Sequence, residues 1–125
     1  MKTLVVDDEQ DIKLLFEQKF RNEIKNGAID LVFANSAEDA LKLMDLYRQE
    51  VAMILTDINM PGMSGLELLK EIKQDYNKPT PQIMMISAYG DEANRKEAKN
   101  LGADDFLTKP LDFKSLKKKL ILTSN

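Results

Sequence analysis

Short β-rich apolar runs alternate with stretches of helical periodicity five times along the chain, and this alternation restricts the fold more than any other feature. The runs occupy residues 3–6, 31–34, 52–56, 82–86 and 105–108. Strands that alternate with helices pair as parallel βαβ units with right-handed crossovers. The third and fourth runs have the near-continuous apolar character of central strands covered on both faces. Five such units predict an α/β fold with a single doubly wound, five-stranded parallel sheet and five helices, rather than a closed eight-unit barrel.

The first predicted helix covers residues 11–24, where Ile12, Leu15, Phe16, Phe20 and Ile24 recur at helical spacing and Asn26-Gly27 supplies the stop. Ser36 is a good N-cap for the second, with Asp39 three positions on; Ala37, Ala40, Leu41, Met44 and Tyr47 share one face. Ser64 and Glu67 form a capping box for the third, which carries Leu68, Leu69, Ile72 and Tyr76 before Pro79 and Pro81 break the chain. The fourth, residues 91–101, is thinly apolar, with Ala93, Ala98 and Leu101 to anchor it and Gly102 to end it. Asp112 caps a fifth helix containing Phe113, Leu116 and Leu120, whose Lys117-Lys118-Lys119 run reads as a solvated face. The methionines read as core filler.

With 125 residues the chain fits one domain, residues 1–125, large enough to fold without a disulfide or metal staple. Its 43% hydrophobic and 31% charged residues argue against disorder. A net charge of -3 offers no basic footprint for nucleic acid. No apolar run approaches bilayer-spanning length, and Met1 is followed almost at once by a strand-like run that leaves no room for a signal peptide. The expectation is a cytoplasmic protein with neither a nucleic-acid nor a membrane partner. There is no Cys and no His, which removes thiolate chemistry, imidazole bases and the common zinc sites. The available chemistry is that of carboxylates, hydroxyls, lysines and backbone amides.

In open α/β sheets ligands bind beyond the carboxyl ends of the strands. Here those ends read Val6-Asp7-Asp8-Glu9, Thr56-Asp57, Ile86-Ser87-Ala88 and Thr108-Lys109-Pro110. Taken singly, each has an ordinary reading. Asp7-Asp8-Glu9 is a polar strand exit beside a helix N-terminus, and Asp57 is a turn residue ahead of Pro61-Gly62. Lys109 is a surface lysine and Ser87 a loop serine. Taken together they gather acids, a hydroxyl and an ammonium at one rim. Clustered carboxylates repel one another, and a divalent cation removes the conflict; oxygen ligands suit Mg²⁺. An ionised Asp57 beside such a cation is a nucleophile toward a phosphoryl group. Lys109, Ser87 and the amides of residues 58–60 supply the donors that such a group requires.

Val5-Val6-Asp7-Asp8-Glu9, the segment from Thr56 to Gly65, Ser87-Ala88 and the segment from Gly102 to Pro110 resemble the receiver domain of two-component response regulators, over essentially the whole chain and in the right order. The resemblance implies a flavodoxin-like sheet of order 2-1-3-4-5. It implies that Asp57 accepts a phosphoryl group from a phosphohistidine on a partner histidine kinase or histidine phosphotransfer protein. It implies that Asp8 ligates Mg²⁺ (or Mn²⁺), that Asp7 reaches it through water, and that Asn59 gives it a backbone carbonyl. Ser87 and Lys109 match the phosphoryl-binding pair, with Lys109-Pro110 a cis peptide, and Ser87 and Phe106 match the switch residues. The output surface would be the fourth helix, fifth strand and fifth helix of the five expected, acting on an effector protein or domain. A phosphorylation-dependent homodimer through that face is a further expectation, from Asp104 and Asp105 opposite the lysine-rich last helix. A stand-alone receiver and the receiver of a longer regulator are both compatible with these residues.

Two other functions compete. An aspartate-nucleophile phosphatase of the haloacid dehalogenase type requires a second acid two residues after the nucleophile, where this chain has Asn59. A receiver-like structural domain without the chemistry would lack the acid pair, the acceptor or the lysine, and all are present. Nucleotide binding has no support, because neither Gly-rich phosphate motif occurs.

Overall fold

The structure, a computed structural model, describes residues 2–74, 80–88 and 90–124. Tyr76 and Pro79, assigned above to a helix face and a chain break, lie outside the described residues. Five parallel strands, β1 (Lys2–Val6), β2 (Asp30–Ala34), β3 (Val51–Asp57), β4 (Gln82–Ser87) and β5 (Asp105–Thr108), form one sheet in the order β2-β1-β3-β4-β5. The order is that of a flavodoxin-like doubly wound sheet. The described residues hold six helices rather than five: α1 (Asp11–Lys19), α2 (Arg21–Lys25), α3 (Ala37–Tyr47), α4 (Gly65–Lys73), α5 (Glu92–Asn100) and α6 (Phe113–Ser124).

The extra helix arises because the stretch expected at residues 11–24 divides at Phe20, whose backbone sits at φ -105°, ψ 20°. Hydrogen bonds continue through the division, from Phe20 N to Phe16 O and from Ile24 N to Phe20 O, both at 2.9 Å. No proline or glycine marks the place, so the sequence carries no local signal for it. Packing does: the Phe20 ring stacks on Phe16 at 5.7 Å and meets Phe113 of α6 edge-on at 6.1 Å. Phe16 and Phe20 are fully buried, whereas Leu15 and Ile24, expected on the same stripe, are left 36% and 38% exposed.

Strand alternation sorts the core into two layers. Leu4, Ile54 and Ile83 are register partners and join a cluster with Ala37, Ala40, Met44, Leu68, Leu69, Ile72 and Ala98, beneath α3, α4 and α5. Val5, Leu55 and Met84, one residue along, join Phe16, Phe20, Leu116 and Leu120 beneath α1 and α6. Both faces of β1, β3 and β4 are thereby removed from water, which is the main stabilising term. Met44, Met53, Met84 and Met85 fill these layers, as their reading as core filler expects. Ser36 caps α3 by accepting from Asp39 N at 3.0 Å, and Ser64 caps α4 by accepting from Glu67 N at 3.2 Å.

Two assigned anchors do not anchor. Tyr47, the last residue of α3, is exposed, and its ring meets the Lys2 ammonium, 4.9 Å from the ring centroid, rather than the core. Ala93 is exposed on α5, where Ala98 alone is buried. With Ala98 buried and, at the C-cap, only half-buried Leu101 packed on the core, α5 is thinly anchored, the kind of element from which moving parts are drawn.

At the start of α6, the Asp112 carboxylate accepts from Lys114 N at 3.0 Å, Ser115 N at 3.3 Å and the Ser115 hydroxyl at 3.0 Å. The Ser115 hydroxyl and amide hold the Asp112 carboxyl below the usual carboxylate range. A depressed folded-state pKa gives stability that is present above the unfolded pKa and lost as pH falls through the folded one. Asp112→Ala is therefore expected to lower the melting temperature at neutral pH, by an amount that shrinks in acid. A deficit of constant size across that range in thermal unfolding would show that ionised Asp112 is not the cap.

Candidate functional site

The carboxyl ends of β1, β3, β4 and β5 meet at one edge of the sheet, and each contributes to a single cluster. Asp57 is the last residue of β3 and is 5% exposed; Asp7 follows β1 and is 6% exposed. Asp8 stands on the open side, exposed. One carboxylate oxygen from each of Asp7, Asp8 and Asp57 lies within 4.8 Å of the others.

Asp7 is held by its neighbours. Its N–H donates to Ala34 O at 3.1 Å, extending the β1–β2 pairing by one residue, and its Oδ1 accepts from Glu9 N at 2.9 Å. Burial pushes the Asp7 carboxyl up, the Asp57 charge adds to the push, and the Glu9 amide and Lys109 only partly offset it. The ordinary reading of the acidic triplet as a helix cap fails, because the N-cap of α1 is Gln10 and makes no side-chain cap bond. Asp57 Oδ1 accepts from Asn59 N at 3.1 Å, so the turn role and the clustered role coexist in one residue.

Lys109 follows β5 and reaches across β4 to Asp57, its Nζ 2.5 Å from Oδ2. Burial pulls the ammonium's pKa down, but the Asp57 hydrogen bond and the charges of Asp57, Asp7 and Glu9 outweigh that and raise it. It is thus held as a cation, with its side chain still 34% exposed. The Lys109–Pro110 peptide is cis, and Lys109 N donates to Ser87 O at 2.9 Å.

Ser87 ends β4 one residue beyond Ile86, the register partner of Asp57. It is fully buried, and its hydroxyl meets no hydrogen-bond partner among the described residues. Such a group costs about 1–3 kcal/mol when left unpaired. Ser87→Ala is accordingly expected to leave the resting protein as stable as wild type, or more stable by up to about 1 kcal/mol, in thermal unfolding. A clear loss of stability would mean that the hydroxyl has a structural partner.

Phe106 lies on the α5 side of β5, half-buried against the cluster beneath α3–α5, with the Arg95 guanidinium 5.4 Å from its ring centroid. Asn59 is exposed, and its Nδ2 donates to Asp91 Oδ2 at 3.5 Å, a link from the loop after β3 to the start of α5. Two contributors escape a reading of the sequence, and a third, Gly65, is named there only as the end of the Thr56-to-Gly65 segment. Asp91 and Glu38 hydrogen-bond to the loop after β3 from distant positions, and no local signal marks them. Gly65 does carry a faint one: glycine is a poor choice for the first position of a helix, and here its missing side chain lets α4 close onto the Asp57 backbone.

The donor set fits a hard divalent cation. It consists of oxygens, two of its three carboxylates are buried, and Asp7 carries an unfavourable charge that a cation would relieve.

A family model described as the response regulator receiver domain matches residues 3–121. The chain belongs to that family. The receiver domain protein from Clostridium thermocellum is 26% identical, with a TM-score of 0.85 over 99% of this chain and 94% of that one. The Francisella response regulator 1452 receiver domain is 31% identical, with a TM-score of 0.80 over 98% and 95%. The chemotaxis protein CheY4 of Vibrio cholerae, 24% identical, shares the fold with a TM-score of 0.80 over 98% and 97%.

In this receiver the acids expected to pair between copies are engaged within the chain. Asp105 pairs with Lys119 of α6, while Asp104 accepts from Ile83 N at 2.8 Å and lies 3.7 Å from Lys73 of α4. Asp104 thus faces α4 rather than the last helix, because the turn after Gly102 carries it to the amino end of β4. Among the described residues, no helix is long and apolar enough to cross a membrane.

Proposed function

We propose that Asp57 accepts a phosphoryl group from a phosphohistidine on a partner histidine kinase or histidine phosphotransfer protein, in a reaction that requires Mg²⁺ or Mn²⁺. The P–N bond of the phosphohistidine breaks, its electron pair stays on the imidazole nitrogen, and a P–O bond forms to an Asp57 carboxylate oxygen. One observation carries this reading: a buried strand-end carboxylate touches an ammonium on one side and shares a second buried acid and an exposed one on the other.

Asp7, Asp8, Asp57 and the Asn59 backbone carbonyl would hold the cation, which when bound supplies positive charge to the transferring phosphoryl oxygens. Lys109 neutralises Asp57 at rest and is exposed enough to follow the phosphoryl group once it arrives. The Ser87 hydroxyl has a proton to donate and, among the described residues, no partner to take it. As Ser87 moves to the phosphoryl oxygen, Phe106 turns inward, and the surface of α5, β5 and α6 changes its affinity for an effector protein or domain. Because Phe106 has no hydroxyl, its part in that surface is apolar. A homodimer formed there on phosphorylation would use contacts other than the Asp105–Lys119 pair, which is made within the chain.

On this reading the chain is a signalling switch rather than an enzyme of ordinary turnover. Asn59, two residues after the acceptor, cannot serve as the acid or base that rapid release requires. Mixing the protein with acetyl phosphate and Mg²⁺ should therefore consume about one equivalent per chain in a burst, followed by slow hydrolysis. Absence of a burst, or fast sustained hydrolysis of a generic phosphomonoester, would overturn this reading.

A further inference from the structure

The loop between β3 and α4 follows directly on Asp57 and carries Asn59. At its near end, Asn59 N donates to Asp57 Oδ1; at its far end, Gly65 N donates to Ile58 O at 2.9 Å. Its middle is reached from a separate element. Glu38, in the first turn of α3, accepts from Met63 N at 2.9 Å, across 25 positions of sequence. Gly62 makes this approach feasible, because its φ of +74° turns the chain and a Cβ there would stand 3.3 Å from Glu38 Oε1. The base of the clamp is firm: Ala37 and Ala40 are fully buried, and Ser36 caps the helix on Asp39 N.

We propose that Glu38 is a positioning residue of the acceptor site, clamping the β3–α4 loop in the shape from which Asn59 serves the divalent cation. The inference rests on the reading of Asp57 and its neighbours as a cation-assisted phosphoryl acceptor. It adds an acid that touches neither the cation nor the phosphoryl group and acts through the Met63 amide. The Met63 amide also holds the Glu38 carboxyl below its usual range, as expected for a hydrogen bond to the charged form. The requirement is for a hydrogen-bond acceptor at this place, and a neutral amide oxygen meets it.

The test compares wild type with Glu38→Ala and Glu38→Gln. Each is titrated with Mg²⁺ by calorimetry, melted, and phosphorylated by acetyl phosphate over a range of Mg²⁺ concentrations. Glu38→Ala is expected to weaken Mg²⁺ binding about three- to tenfold while the melting curve stays cooperative. Its phosphorylation rate should return to within about twofold of wild type at saturating Mg²⁺, since the defect lies in holding the loop rather than in the acceptor. Glu38→Gln should bind Mg²⁺ as wild type does, because its amide oxygen still accepts from Met63 N. Unchanged Mg²⁺ affinity in Glu38→Ala would overturn the proposal, as would a Gln variant as weak as the Ala variant. A wild-type protein that binds Mg²⁺ but takes no phosphoryl group would instead overturn the reading of Asp57.

Discussion

Replacing Gly65 with alanine is expected to cost about 1–3 kcal/mol of stability and to disturb the acceptor at the same time. A Cβ at Gly65 would lie 2.2 Å from Asp57 O and 3.0 Å from both the Asp57 carbonyl carbon and Ile58 Cα. These are backbone atoms, so no side chain can swing away to relieve the clash. The Gly65 N–H to Ile58 O bond draws the helix start against the strand end, and the helix has little room to retreat. Leu68, Leu69 and Ile72 on its inner face are all fully buried. The strain therefore falls on the segment that carries Asp57. For a domain of this size the penalty corresponds to a fall in melting temperature of about 3–15 °C. The acceptor should also react more slowly, even when assayed well below the melting temperature. A Gly65→Ala protein with wild-type melting and wild-type labelling would show that this close approach does not exist in solution.

The second large effect is expected at Asp7, where two properties should move in opposite directions. Burial and the nearby Asp57 charge raise its pKa in the folded state. A carboxyl with a raised folded pKa contributes stability that is present below the unfolded pKa and lost as pH rises through the folded one. At neutral pH the ionised Asp7 is thus a burden on the cation-free protein, buried and facing Asp57 and Glu9, with the Glu9 amide and Lys109 compensating only in part. Asp7→Asn should melt at a higher temperature than wild type at neutral pH without divalent cations. The advantage should vanish in acid, where wild-type Asp7 is itself protonated. The same substitution removes negative charge from the donor set and should weaken Mg²⁺ binding about ten- to a hundredfold. Added Mg²⁺, which stabilises by mass action, should then raise the wild-type melting temperature far more than that of the variant. A variant that is destabilised without cations, or that binds Mg²⁺ undiminished, would contradict the arrangement of the acids.

Much of this organisation is legible in the residues because short-range physics dictates it. The five apolar runs, the Ser36 and Ser64 caps and the glycine stops are local signals, and the structure places strands and helices accordingly. The gathering of Asp7, Asp57, Ser87 and Lys109 at one edge follows from parallel strand direction alone, since every strand end then faces the same way. What escapes is set by tertiary packing. The division at Phe20 depends on Phe113, more than ninety positions later in the sequence. The exposure of Tyr47 and Ala93 depends on how the helices pack on the sheet, which periodicity does not record. Asp105 is matched to Lys119, and Asp104 to Ile83 and Lys73, by the turn that follows α5. Glu38 and Asp91 join the β3–α4 loop through single hydrogen bonds from other elements, and nothing near them in the sequence announces it.

The central claim is that Asp57 is the atom-level acceptor. The most direct measurement is the intact mass of wild type and Asp57→Asn after incubation with acetyl phosphate and Mg²⁺. The account predicts that wild type gains the mass of one phosphoryl group and that Asp57→Asn gains none. An unmodified wild type, or an Asp57→Asn protein labelled to the same extent, would contradict it.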